Sequence, residues 1–252
     1  MPEKIPLQAV APGKKDPAWV AHYQAGEFRQ SGKVLPFRLY APEVQTGEKY
    51  PLVLWLHGVK GRGEDNHKQL TAGNAHGPAF FAAKELQERY PCYVLVPQCP
   101  GSKFWISFTS LRIKSYLKLA VGLTENLRET LPIDHSRIYV GGQSMGAFAT
   151  WALLAGYPEL FAAGIPVSGG GSTRKAKRAI KAPVWIFHGA SDPIVRVIRS
   201  REMAAAMEAA GKAVRYTEFP DGRHDIWPQV FAEPNFAEWL FSNKTENVKR
   251  RR

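Results

Sequence analysis

The sequence predicts an α/β fold, a mostly parallel, doubly wound sheet flanked by helices. Three observations carry this expectation. Short apolar runs of strand length recur along the chain, segments of helical periodicity separate them, and glycine closes most of the runs. Near-continuous apolar runs suit strands buried on both faces, as parallel strands are. Regular alternation of strand and helix is the pattern of one doubly wound domain.

In chain order, the first element is a hairpin. GEFRQ and KVLPFRLYAP, within residues 26–42, are separated by Ser31-Gly32, a turn-forming pair. Five buried-strand candidates follow: PLVLWLHG (51–58), YVLVPQ (93–98), RIYVGG (137–142), AAGIPVSG (162–169) and PVWIFHG (183–189). Across residues 111–131, Ile113, Leu117, Ala120, Thr124, Leu127 and Leu131 recur at helical spacing and predict a long amphipathic helix. IRSREMAAAMEAA (198–210) reads as a helix stopped by Gly211. AVRYTEF (213–219) alternates, which fits a late strand near a sheet edge, and FAEWLF (236–241) reads as a closing helix. No internal repeat or long linker marks a second domain. The expected division is an N-terminal extension (1–25), one α/β domain (26–242) and a basic tail (243–252). The extension, with four prolines, and the tail are expected to be the poorly ordered ends.

Composition narrows the class. Of 252 residues, 44% are hydrophobic, enough for a sizeable core. No apolar stretch approaches the roughly 20 residues that cross a bilayer. The start, MPEKIPLQAVAPGKK, lacks the basic-then-apolar order of a secretory signal, and the compartment stays open. Cys92 and Cys99 flank YVLVPQ; seven extended residues span roughly 23 Å, beyond disulfide reach. No zinc-type spacing of cysteine or histidine occurs, and no metal or cofactor is expected. The net charge of +12 invites a polyanion partner. Residues 172–201 hold Arg174, Lys175, Lys177, Arg178, Lys181, Arg196, Arg199 and Arg201 against one acid, Asp192, and Lys249 to Arg252 add four more cations. Aromatic residues do not interleave with these bases as a stacking platform requires. They read as a solvated basic face, with contact to a polyanion or anionic surface as the alternative, and with no specific nucleic-acid partner.

The chemistry starts at Gly142-Gln143-Ser144-Met145-Gly146, which matches G-x-S-x-G. A chain with 12 serines and 22 glycines supplies roughly 0.09 such matches by chance. The setting adds the weight: RIYVG precedes the motif as a strand and MGAFATWALLAG follows as a helix. Ser144 is therefore read as a nucleophile on a sharp turn. A serine hydroxyl needs a base, and the base an orienting group. Of seven histidines, His22 precedes the sheet and His135 lies at the wrong end of a parallel strand. His57, His67 and His76 fall before or within the first crossover, and His188 reads as strand-end packing. His224, in FPDGRHDIW, follows the last strand and is the expected base. Asp192, just past PVWIF, is the expected acid that fixes the imidazole tautomer. Asp221 and Asp225 suit loop hydrogen bonding better.

In LVLWLHGVKGRGEDN, RIYVGGQSMG, PVWIFHGASDPIV and GRHDIW, in this order, the chain resembles the serine carboxylesterases of the α/β-hydrolase superfamily. Feruloyl and polyester-depolymerase-like enzymes are near relatives of that group. The likeness spans roughly residues 27–241, and Ala147 departs from it where such enzymes often carry a further glycine. The resemblance implies a Ser144-Asp192-His224 triad and an acyl-enzyme route. It also implies an oxyanion hole from the N–H of Met145 and, after the His-Gly pair, of Val59. Trp105 and Trp227 are expected near the substrate pocket, with core packing an equal alternative. Glu64 and Asp65 read as helix caps. Only residues 169–182 separate AAGIPVSG from PVWIF, too few for a lid domain.

The expected partner is a small, short-chain ester, with a feruloyl or acetyl polysaccharide esterase as alternative. A non-catalytic binding module with the same fold is the remaining reading. A gated peptidase lacks room for its propeller, and dienelactone chemistry is disfavoured by serine at position 144. The sequence leaves oligomeric state open.

Overall fold

The computed structural model describes residues 2–73 and 75–245. Its strands choose faces by residue parity. In β3 (Tyr50–Leu56), Leu52, Leu54 and Leu56 enter one hydrophobic cluster, whereas Val53 and Trp55 enter another. Both faces are buried, so the run carries no polar alternation.

β1 (Tyr23–Gln30) and β2 (Lys33–Tyr40) form the expected hairpin. Ser31 and Gly32 take φ 51° and 69°, the left-handed pair that a two-residue turn requires. The remaining strands are β4 (Tyr93–Pro97), β5 (Ile133–Gln143), β6 (Ala163–Val167), β7 (Val184–Gly189) and β8 (Val214–Phe219). They join one sheet in the order β1-β2-β4-β3-β5-β6-β7-β8. β2 is antiparallel to both its neighbours, and every pair from β4 to β8 is parallel.

The helices are α1 (Lys68–Thr71), α2 (His76–Phe81), α3 (Lys84–Arg89), α4 (Ser115–Thr130), α5 (Met145–Gly156), α6 (Thr173–Ala179), α7 (Ile198–Glu208), α8 (Trp227–Phe231) and α9 (Phe236–Ser242). Through Leu117, Trp151, Ala176 and Met203, α4 to α7 cover the face of Leu52 and Leu54. Through Leu70, Phe81, Leu86, Val230 and Leu240, the other five cover the face of Trp55. Each fully buried leucine or phenylalanine contributes about 2 kcal/mol by leaving water. The predicted helix over 111–131 starts only at Ser115. Ile113 is drawn instead into a bridge with Ile106, and Lys114 N–H bonds Trp105 O.

The N-terminal segment differs from expectation. Instead of lying loose, it docks: Val20 and Tyr23 are buried, and Tyr23 Oη donates to Pro78 O at 2.8 Å. Gln8 and Ala25 exchange two backbone hydrogen bonds of 2.8 Å, and Asp16 Oδ2 meets His67 Nε2 at 2.7 Å. Apolar anchors outweigh the prolines, and β1 already begins at Tyr23, ahead of the expected boundary at residue 26. Of the basic tail, residues 243–245 follow α9, with Thr245 N–H bonding Ser136 O. Lys249 to Arg252 lie outside the described residues.

Because the strands from β3 onward are parallel, their carboxyl ends share one edge. Chain order reverses between β3 and β5, where doubly wound sheets open a crevice. Deleting residues 2–22 uncovers Tyr23 and the core beneath Ile5 and Leu7. A lower thermal midpoint in differential scanning fluorimetry is expected, and an unchanged one would show the segment to be a dispensable extension.

Candidate active site

Ser144 joins β5 to α5 with φ 55° and ψ −117°, a conformation that costs a non-glycine residue free energy of order 1–3 kcal/mol. Packing enforces it. A Cβ on Gly146 would overlap the carbonyl of Leu56, and one on Gly142 would crowd Leu56 O and the backbone of Gly146. The start of α5 therefore lies directly on the end of β3, and Ser144 N–H bonds Val167 O at 2.9 Å. Ala147 fits because its methyl faces Gly169, where a Cβ would overlap it.

Around this turn the structure brings together three side chains from distant loops. His224 Nε2 lies 2.9 Å from Ser144 Oγ, and His224 Nδ1 lies 2.7 Å from Asp192 Oδ2. Asp192 only accepts, so Nδ1 carries the proton and Nε2 is free to accept from the serine. Asp192 is buried, and its Oδ1 takes the N–H groups of Ile194 and Val195 at 2.8 and 2.9 Å. The loops after β7 and β8 are laced together. Ser191 N–H bonds Gly222 O, Ala190 N–H bonds Phe219 O, and Gly189 lets the backbone of Gly222 and Arg223 approach where any Cβ would collide. Ser168 Oγ, after β6, donates to His224 O at 3.2 Å.

His188, read from sequence as packing, also reaches the acid. Its Nε2 lies 3.2 Å from Asp192 Oδ2 and 2.8 Å from Val195 O, and its Nδ1 lies 2.7 Å from Ser200 Oγ. Burial lowers its pKa. The spacing of His188 and Asp192 in HGASD was the available signal.

Met145 is the first residue of α5, beside Ser144, and is buried. Val59 opens a single 3₁₀ turn, Val59–Gly61, and is exposed. The preceding Gly58 abuts the nucleophile turn, where a Cβ would lie 3.5 Å from Ser144 Cβ. His57 governs this loop. Its Nδ1 donates to Gly58 O at 2.7 Å, and its Nε2 accepts from Cys99 N–H at 3.0 Å. Burial lowers its pKa to about 4, which keeps the ring neutral. Trp105, expected near the pocket, instead has no exposed surface: it lies in the core and donates Nε1–H to His57 O at 3.3 Å. The cause is the bridge between Ile106 and Ile113, which folds its loop back on the sheet. Trp227 presents its ring to His224, with centroids 5.6 Å apart and planes at 77°. Asp65 Oδ1 accepts the N–H groups of His67 and Lys68 at the start of α1, whereas Glu64 is exposed. Phe108 meets Phe148 of α5 with centroids 5.4 Å apart. Among the described residues no group of acids, histidines and cysteines could hold a metal, and no helix is long and apolar enough to cross a membrane.

A mostly parallel sheet with this turn after β5, an aspartate after β7 and a histidine after β8 defines an α/β-hydrolase fold. Comparisons with known proteins agree. The phospholipase/carboxylesterase family model matches residues 112–235. A thermostable esterase of known structure is 36% identical with a TM-score of 0.84, over 88% of this chain and 63% of that one. A probable carboxylesterase of Oryza sativa subsp. japonica is 24% identical over 76% of this chain and 87% of its own length. Poly(3-hydroxyalkanoate) depolymerase C of Paucimonas lemoignei is 44% identical over 48 residues, 19% of this chain and 12% of the relative. The chain thus spans less than two thirds of the depolymerase and of the esterase structure. It has the α/β-hydrolase fold and is similar to carboxylesterases.

Two stability measurements follow from this geometry. Gly146→Ala forces α5 off β3 and is expected to cost about 3 kcal/mol or more, read as a lower urea midpoint. His57 ionises near pH 4 when folded and near 6.5 when unfolded. The unfolded chain therefore binds the extra proton between these values, and stability falls as pH drops from 6.5 to 4. His57→Asn is expected to flatten that part of a urea-midpoint profile.

Proposed function

We propose that the protein is a serine carboxylesterase acting on small, short-chain esters through an acyl-enzyme. The observation that carries the reading is the unbroken relay from Ser144 Oγ through His224 to buried Asp192. His224 Nε2 takes the Ser144 proton as Oγ bonds the ester carbon. The resulting imidazolium is stabilised by Asp192 through Nδ1–H. His224 then returns the proton to the leaving alkoxide oxygen as its bond to carbon breaks. Water enters the same position, gives its proton to His224 and attacks the acyl carbon. Ser144 regains its proton as the carboxylic acid leaves.

The transient oxyanion needs preorganised donors. Met145 N–H, at the positive end of α5, is one. Val59 N–H is the other. Gly58 O is held by His57 Nδ1–H and by Gly61 N–H at 3.1 Å. A trans peptide points its N–H opposite its carbonyl, so Val59 N–H faces away from the His57 ring. His57 thus acts as a positioning residue for that donor.

Exposed Val59, Phe108, Ile194 and Ile198 follow β3, β4 and β7 at the site edge and offer apolar contact to acyl and alcohol groups. The Phe108–Phe148 pair favours aromatic acyl esters as a second reading. Phe148, four residues beyond Ser144 on α5, and its ring partner Phe108 are the wall residues this reading assigns in place of Trp105, while Trp227 borders the base.

Ser144→Ala is expected to lower kcat for p-nitrophenyl acetate by about 10⁴-fold or more, with an unchanged thermal midpoint. Turnover close to wild type would show that another group attacks. Methyl ferulate, hydrolysed faster than methyl butyrate, would favour the aromatic reading.

A further inference from the structure

Behind the relay of Ser144, His224 and Asp192 stands a second histidine that the proposed reaction does not use. His188 is the penultimate residue of β7, and its side chain has no exposed surface. Its Nε2 lies 2.8 Å from Val195 O and 3.2 Å from Asp192 Oδ2, and its Nδ1 lies 2.7 Å from Ser200 Oγ. Ser200, on α7, is itself 3.0 Å from Gly169 O, beyond the end of β6.

The partners decide where the ring carries its proton. A carbonyl and a carboxylate oxygen only accept, so Nε2 must be protonated. Burial favours the uncharged ring, in which Nδ1 accepts from the Ser200 hydroxyl. In a charged ring Nδ1–H would donate to Ser200 Oγ and leave that hydroxyl to Gly169 O. The proton on Nε2 is common to both forms.

Asp192 is thereby gripped from four directions. Its Oδ1 takes the N–H groups of Ile194 and Val195, and its Oδ2 takes His224 Nδ1–H and His188 Nε2–H. Val195 clamps both side chains, giving its N–H to the acid and its carbonyl to His188. Two donors on Oδ2 draw on the same negative charge, so the second weakens the hold of the acid on an imidazolium. The titratable groups facing His188 are Asp192 on the loop after β7, His224 after β8, and Glu218, its partner in register on β8. Glu218 is engaged by Arg201 of α7 at 2.9 and 2.6 Å and by the hydroxyl of Tyr216.

We infer that His188 is a positioning residue for the proposed hydrolysis: its Nε2–H holds Asp192 Oδ2 against His224 and moderates the basicity that the acid confers on that base. The assignment rests on Ser144, His224 and Asp192 as the reacting relay. It gives His188 a part in extending activity toward lower pH.

Two substitutions separate the ring nitrogens. In His188→Asn the amide stands near the place of Nδ1, within reach of Ser200, and nothing replaces Nε2–H. In His188→Gln the amide nitrogen reaches the place of Nε2. His224 must be neutral to accept from Ser144, so the acidic limb of kcat/KM for p-nitrophenyl acetate follows its protonation. His188→Asn is expected to move that limb up by about half a pH unit or more, and His188→Gln to bring it back toward the wild-type position. A role in packing alone would lower the thermal midpoint and leave the limb in place. An unmoved limb, a downward shift, or a shift that glutamine fails to reverse overturns the inference. Nitrogen NMR of the wild-type protein with ring-labelled histidine reads the proton directly. A bare His188 Nε2 overturns the inference even where His188→Asn fails to fold, and a protonated one supports it. Absence of Ser144-dependent hydrolysis would instead refute the esterase reading. The same NMR titration then decides the part of His188 without substrate: a His224 midpoint raised in His188→Asn supports it, and an unmoved one overturns it.

Discussion

Everything at the site depends on one close approach, the backbone of α5 against the carbonyl of Leu56 at the end of β3. No side chain fits at Gly146 or Gly142, so helix and strand meet through bare main chain. That contact holds Ser144 in a conformation few serines adopt and sets its hydroxyl at the crevice where strand order reverses. It also sets Gly58 beside the serine, and with it the peptide whose carbonyl His57 grips. The strain at Ser144 is sustained by the burial of α5 on one face of the sheet, through Ala149, Leu153 and Leu154.

Polar interactions then align what packing has brought near. Asp192 accepts from two backbone N–H groups and faces two imidazoles, so its carboxylate is fully engaged in a buried place. Charge at such depth is tolerated only when its lone pairs are satisfied. The lacing of the β7 and β8 loops across Gly189 and Gly222 makes His224 part of the scaffold rather than a tip on a free loop. His57 and His188, both buried, act behind the site: one orients the β3 loop, the other supports the acid.

The basic residues take a different part. Arg174, Lys175, Lys177 and Arg178 are exposed on and around α6, as are Arg196 and Arg199 near the start of α7. Arg201 meets Glu218 on β8, and Lys181 meets Glu159. Together they form an exposed basic surface around α6 and the start of α7.

Much of this was legible in the amino-acid sequence because it is periodic or local. Buried strands show as apolar runs, α4 and α7 as helical spacing, and the hairpin as Ser31-Gly32. Ser144 is marked by its glycines, and Asp192 and His224 by their places after strands. Other features depend on contacts between residues far apart in the chain, and only the tertiary structure decided them. Helices of four to seven residues, such as α1, α2, α3, α6 and α8, are too short to display a period. The N-terminal segment reads as loose by its prolines, yet Val20 and Tyr23 anchor it across the sheet edge. Trp105 shares its loop with the site but is folded inward by the Ile106–Ile113 bridge. The indole Nε1–H of Trp151 finds no acceptor among the described residues, a property of the assembled surroundings that is invisible in one dimension. Sequence by itself determined the strands, the longer helices and the candidate side chains for chemistry. The fold decided which side chains face the crevice, because facing is set by packing over long separations in the chain.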